Sequence, residues 1–258
     1  TDISGLKAEA FGDDDNVLTK TGVDVNLPEL PSGITLADQT VNVTLTEGEA
    51  SGTYGTIVVS GGKAVFHQTK AYTGVQHNDH GTSPATASEA DEATGFTAEL
   101  KVKYADGSEG VLKAEVTIAD DIPVLSIADV TEKLEYSSTS YQTIGTLSST
   151  LEEAAQADGL KSCTVDLVTV KDGRETLVSG TDNKDGTYSF DGVGTVRISK
   201  TDVSFQSEFE TGKDAAYKFR ITVEDKDGDK VSADVTTVLK GTDISGLKAE
   251  AFGDDDNV

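Results

Sequence analysis

The chain has 258 residues, with 46 Asp and Glu against 21 Lys and Arg, a formal net charge of −25, one Cys and no Met or Trp. Such acidity excludes a nucleic-acid binder, because nothing here would neutralise phosphates, and it opposes docking on anionic lipid. Cys163 alone cannot make an intramolecular disulfide, and no apolar run is long enough to span a membrane. The lack of Met, including at position 1, suggests a fragment of a longer chain; there is no signal peptide, so any export signal is expected outside it. The acidity itself reads either as a solvated surface or as carboxylates awaiting cations.

In chain order, Thr1–Val17 reads TDISGLKAEAFGDDDNV, and the same letters recur at Thr242–Val258, an offset of 241 residues. A fixed long period marks an array, so the partners implied are neighbouring repeats of the same chain. Within this opening, Asp13-Asp14-Asp15-Asn16 follows Gly12 as an acidic loop after a first strand. Asp13 and Asp15 there either supply ligands or stay solvated. Pro28 and Pro31 imply an edge or loop. Val41–Thr46 alternates with period two, Thr56–Ser60 is β-branched-rich, and Gly61-Gly62 turns the chain into Ala64-Val65-Phe66. Gln68–Thr94 reads as a long polar surface loop. From Thr97 to Tyr104 the alternation points Ala98, Leu100, Val102 and Tyr104 inward. After the turn Asp106-Gly107-Ser108, Leu112, Ala114, Val116 and Ile118 share one face, closing a hairpin.

Asp121–Ile127 is a weaker copy of Asp2–Ala8 and Asp243–Ala249, sharing Asp-Ile, two residues, then Leu, at spacings of 119 and 122 residues. The 241-residue unit therefore divides into two diverged domains, 1–120 and 121–241, with 242–258 the start of the next repeat. In the second domain Ser149 and Glu152 read as a capping box opening one short helix, stopped by Asp158-Gly159. Cys163, Val165 and Leu167 alternate, with Cys163 expected as a small buried hydrophobe. Lys171-Asp172-Gly173 and Lys184-Asp185-Gly186 are hairpin turns. The closing strands present Tyr217, Phe219, Ile221 and Val223, then Val231, Ala233 and Val235. Short alternating strands with frequent turns predict two all-β, immunoglobulin-like sandwiches in a head-to-tail rod with at most one short helix.

Metal chemistry is read first from Glu224-Asp225-Lys226-Asp227-Gly228-Asp229. Asp225, Asp227 and Asp229 at alternate positions can aim carboxylates at one point, and calcium takes six to eight hard oxygens. No flanking helices make it an EF-hand; a solvent-facing acidic hairpin tip is the plain alternative. At the junctions, Asp225, Asp227 and Asp229 are expected to approach Asp243, and Asp106 and Glu109 to approach Asp120 and Asp121. Asp2 holds the matching junction at the start of the chain. His77 and His80 flank Asp79 but read as part of a polar loop rather than a transition-metal site. Catalytic motifs are lacking: there is no Gly-x-Ser-x-Gly, phosphate loop or His-Glu-x-x-His.

The runs FRITVEDKDGDKV at Phe219–Val231 and VTIADDIP at Val116–Pro123 resemble the extender repeats of giant repeats-in-toxin adhesins of Gram-negative bacteria, motifs shared with cadherin-like surface repeats. The resemblance covers both domains. It implies calcium at Asp225, Asp227 and Asp229 and at Asp120 and Asp121, export by type I secretion, and a role holding a ligand-binding tip away from the cell surface. The sequence departs from that pattern at Lys240-Gly241-Thr242-Asp243, which lacks the paired Asp and the Pro, and at the poorer turn Asp106–Glu109. The expected function is a monomeric, non-enzymatic extracellular spacer stiffened by Ca2+. The rival is a calcium-dependent carbohydrate- or protein-binding module, which near-identical repetition disfavours.

Overall fold

Period-two alternation gives each strand one face that must leave water, and most of the architecture follows from that. The computed structural model describes residues 2–46, 50–73, 92–119, 121–226 and 228–242. The first strands are β1 (Lys7–Asp13), β2 (Val23–Asp24), β3 (Ile34–Leu36), β4 (Gln39–Leu45), β5 (Gly52–Ser60), β6 (Lys63–Gln68), β7 (Glu92–Tyr104) and β8 (Glu109–Ala119). Then come β9 (Ile127–Asp129), β10 (Gln142–Leu147), β11 (Leu160–Lys171), β12 (Arg174–Ser179), β13 (Thr181–Asp182) and β14 (Thr187–Phe190). The last are β15 (Gly194–Ser199), β16 (Asp202–Ser207), β17 (Ala215–Asp225) and β18 (Lys230–Leu239). Among the described residues, helical structure is confined to α1 (Asp15–Thr19), α2 (Leu151–Ala154) and a 3-10 turn at Gln156–Asp158. The chain is thus all-β, in the manner of immunoglobulin-like sandwiches. Its described residues pack as two compact units, drawn from 2–126 with 149–163 and 222–233, and from 127–148 with 164–221 and 234–242.

The first unit is built on an eight-stranded sheet ordered β1-β8-β7-β4-β5-β6-β2, with β3 paired to β7. β2 pairs with β6, and just beyond it Asn26 exchanges backbone bonds of 2.7 and 3.0 Å with Glu9 of β1. Segment 23–26 therefore joins both edges and closes the sheet round one core. The expected inward residues Ala98, Leu100 and Val102 of β7 and Leu112, Ala114, Val116 and Ile118 of β8 are buried there, with Tyr54, Phe66 and Phe96. Phe96 sits edge-on to Tyr54 and Tyr72, at centroid distances of 4.9 and 5.5 Å. Each such large side chain contributes about 1.5–3 kcal/mol by leaving water. β7 starts at Glu92, earlier than Thr97, because a bulge between Ala93 and Phe96, with Gly95 at φ 97°, carries the ladder further. The rest of the expected loop, residues 74–91 with His77 and His80, lies outside the described residues.

The second unit contains the six-stranded sheet β13-β14-β15-β16-β10-β9. It also takes β12 and most of the four-stranded sheet β12-β11-β17-β18, whose strands β11, β17 and β18 each give a few residues to the first unit. Its core packs Phe205 against Tyr217 and Phe219, and Phe190 against Phe219, as tilted ring pairs with centroids 5.2–5.4 Å apart. Asp172 at φ 54° and Gly173 at φ 75° form the expected tight hairpin between Lys171 and Arg174.

Three sequence expectations need correction. The helix cap is Thr150 with Glu153, one residue later than Ser149 with Glu152, and both reciprocal bonds of the capping box are present. The acidic run leaving β1 leads into a one-turn helix, α1, so the described residues hold two short α-helices instead of at most one. Cys163 is half-buried, since β11 buries both Val165 and Asp166 and its burial pattern does not alternate strictly.

Candidate metal centre

Parallel pairing assembles the site. β1 runs alongside β8 in the same direction, with Asp13 opposite Ala119, and the Asp14 amide donates to the Ala119 carbonyl at 3.1 Å. Both strands therefore end at one place, and the Asp run leaving β1 meets the Asp121 segment leaving β8. The three consecutive aspartates then divide. Asp14 turns inward, fully buried, where its carboxylate accepts from Gln68 Nε2 and from the Tyr72 amide at 2.8 Å. Asp13 and Asp15 stay exposed, and one oxygen of Asp13 accepts from the Asp15 amide at 3.0 Å. Each of Asp13, Asp15 and Asp121 offers one carboxylate oxygen, and the three oxygens lie within 4.8 Å of one another.

That donor set is all hard oxygen, with no imidazole or thiolate, which suits calcium, magnesium or manganese better than zinc or copper. Two oxygens on opposite sides of a calcium ion, at bonds of about 2.4 Å, stand about 4.8 Å apart, so the spacing fits an ion among them. The electrostatics also fit. Asp121 is half-buried, and burial pushes its carboxyl up to about 7, opposed by its bond from the Ala157 amide at 3.2 Å and reinforced by repulsion from Asp15, Asp14 and Asp13. A divalent cation would offset that repulsion.

The second acidic place in this unit is the turn at the end of β17. Asp225 and Asp229 are completely buried. One Asp225 oxygen accepts from the Gly228 amide at 3.0 Å and the Asp229 amide at 2.8 Å, while Gly228, at φ 110°, lets the backbone fold back. Asp158, at the end of the 3-10 turn, is also buried. A Cβ on Gly159 would come 2.9 Å from Lys226 Nζ, which sets the Asp158–Gly159 corner against the 225–229 turn. Asp158 also follows Ala157, whose amide holds Asp121. The sequence reading missed Asp158; its Asp-Gly context reads as a helix stop, and only its burial marks it as more.

Other candidates are not brought together. Asp106 and Glu109 lie at the start of β8 and Asp121 beyond its end, and eleven extended residues span about 35 Å. The expected approach of the Asp106 turn to Asp121 therefore does not occur, because the two ends of one strand cannot meet. Asp106 is exposed and accepts from the Ser108 amide at 2.9 Å and hydroxyl at 2.6 Å, bonds that hold its carboxyl below the usual range. Asp2, at the far end of β1 from Asp13, accepts from the Ser4 amide at 2.8 Å. Asp229 and Lys240 likewise flank opposite ends of the ten-residue β18. Asp120, Asp227 and Asp243 lie outside the described residues.

No protein-family model matches the chain, and no curated protein does. Among solved structures it is similar to extracellular cadherin domains 3–6 of protocadherin gamma B2, at 12% identity and a TM-score of 0.32, over 93% of this chain and 46% of that one. It is similar to a tetra-tandem repeat from the extending region of a large adhesion protein, at 14% identity and a TM-score of 0.32, over 91% of this chain and 49% of that one. A third likeness is to EC21–23 of human CDH23, at 11% identity and a TM-score of 0.32, over 93% and 74%. The chain spans about half the length of the first two. At such scores the likeness carries no functional argument. Among the described residues, no helix is long and apolar enough to cross a membrane.

Proposed function

We propose that this chain is a spacer of a large bacterial surface adhesin, of the repeats-in-toxin type, made of two successive β-sandwich repeats, 1–120 and 121–241, and stiffened by calcium. The observation that carries the reading is the convergence of Asp13, Asp15 and Asp121, three oxygen donors within 4.8 Å at the point where β8 gives way to the Asp121 segment. The 241-residue repetition supports an array, and arrays of sandwiches serve length and stiffness more readily than chemistry. In this reading Asp13, Asp15 and Asp121 hold the ion, Asp14 fixes the run from beneath, and Asp120 and the turn of Asp225, Asp227 and Asp229 supply further acidic ligands, while the exit before Asp243 is left without a cation. The ion supplies charge cancellation; the protein supplies preplaced oxygens. Secretion to the cell surface, a role as a monomeric non-enzyme and service to a ligand-binding tip belong to the same proposal.

Thermal unfolding with calcium and with chelator tests it. Calcium at a hundredfold excess over its dissociation constant adds about 2.7 kcal/mol to the folded state, so the melting temperature rises by several degrees and returns on chelation. Identical melting curves in the two buffers contradict the reading.

A further inference from the structure

A Lys-Gly-Thr stretch after a terminal strand would ordinarily be a hinge, since glycine leaves the backbone free. Here the opposite is built. A Cβ on Gly241 would lie 2.4 Å from both the Cα and carbonyl carbon of Lys213 and 2.6 Å from its nitrogen, so Gly241 is pressed directly on the backbone of segment 210–214. The Gly241 amide donates to Asp214 Oδ1 at 3.0 Å, and the Thr242 amide donates to the Thr211 carbonyl at 2.7 Å. The Thr242 hydroxyl donates to Glu210. From the other side, Leu134 exchanges backbone bonds of 2.8 Å with Val238 and Lys240 over the buried pair Leu134 and Leu239. Lys133 binds the second oxygen of Asp214 at 2.5 Å, and Lys240 binds Glu135 at 2.8 Å. Every residue named belongs to the second unit.

We infer that residues 240–242 are a cation-independent clamp, which fixes the direction in which the chain leaves the second unit through protein contacts alone. Two features separate this place from an acidic calcium junction. Asp214 and Glu135 each face a lysine, so local charge is matched without a metal. The exposed ion pairs are individually weak; the backbone bonds and the close packing of Gly241 carry the fixation. The inference goes beyond the calcium reading and stands without it. Joined to that reading, it means an array whose junctions alternate between cation-held and protein-held.

Hydrogen exchange on the full chain decides the matter at the Gly241 and Thr242 amides. They are expected to exchange equally in EGTA and in calcium, slower than unprotected peptide by at least about tenfold. D214A removes the acceptor of the Gly241 amide and speeds its exchange by about that factor. G241A, which forces segment 210–214 aside, does the same for both amides. The Ala157 amide, bound to Asp121, is the internal reference. The Ile198 amide of the second unit, bonded to the Gly186 carbonyl at 2.9 Å, shows that each variant is folded, and a failure of the calcium reading shows at Ala157 as indifference to calcium, leaving Gly241 unaffected. Exchange of Gly241 and Thr242 at the unprotected rate in EGTA, rescued by calcium or not, overturns the clamp, as does a D214A chain with unchanged protection at Gly241.

Discussion

Asp121 and Asp214 are the same residue type held in opposite ways. Asp121 stands beside three other aspartates, half-buried, with its carboxyl pushed up to about 7, first by burial. Asp214 stands beside Lys133, which, with the Gly241 amide, holds its carboxyl below the usual range. The second unit repeats this matching on the sheet face, where Arg220 makes two bonds to Asp234, at 2.7 and 2.9 Å, and reaches Glu175 at 3.2 Å, with Lys218 bridging the same two acids. An acid paired with a base is complete within the chain. An acid among acids calls for something from outside. A net charge of −25 is thus distributed unevenly in its consequences.

Breaking the matched side has the largest expected effect. The Arg220 side chain is only 10% exposed, so R220A removes a bidentate partner from Asp234 and costs about 1–3 kcal/mol of stability, read by denaturant unfolding. Adding a base to the unmatched side is not needed to relieve it; removing a charge suffices. In metal-free buffer at pH 7, D121N is expected to stabilise the chain by on the order of 1 kcal/mol, discounted for solvent screening, while reducing its response to calcium.

The pH dependence sharpens the same contrast. Unfolded, Asp121 loses its proton near 3.8; folded, it keeps it to about 7. Between those values the folded state binds the extra proton, so Asp121's contribution to metal-free stability falls as pH rises through that window and is fully unfavourable above it. In the proposed site calcium would have to displace this proton, so its affinity is expected to rise with pH up to about 7. The matched acids, with lowered values, act in the opposite sense and lose stability only in acid. A D121N chain whose metal-free stability has the same pH slope between about 4 and 7 as the parent contradicts this assignment.

The strands were legible where alternation is strict, as in Ala98, Leu100 and Val102 or Leu112 through Ile118, because burial on one face writes itself into every second residue. The individual acids were legible too, since Asp13, Asp15 and Asp121 stand out in sequence. Which acids would meet was not. The β7-β8 hairpin is a local signal, and it suggested that the Asp106 turn serves Asp121; the eleven residues of β8 keep them apart. The contact that does form depends on β1 lying parallel to β8, some hundred residues away, and parallel pairing leaves no turn between its strands to announce it. The clamp was equally hidden. Lys240-Gly241-Thr242 reads as a poor linker until Lys213 is seen pressed against Gly241.

The central claim is that Asp13, Asp15 and Asp121 hold a cation, and isothermal titration of calcium into the metal-free chain at pH 7 addresses it most directly. The account predicts that the parent and D106N bind alike, whereas a D13N/D15N chain binds one calcium fewer and D121N binds that ion more weakly. Equal stoichiometry and affinity in the parent and the D13N/D15N chain, or no uptake by the parent at all, would contradict it.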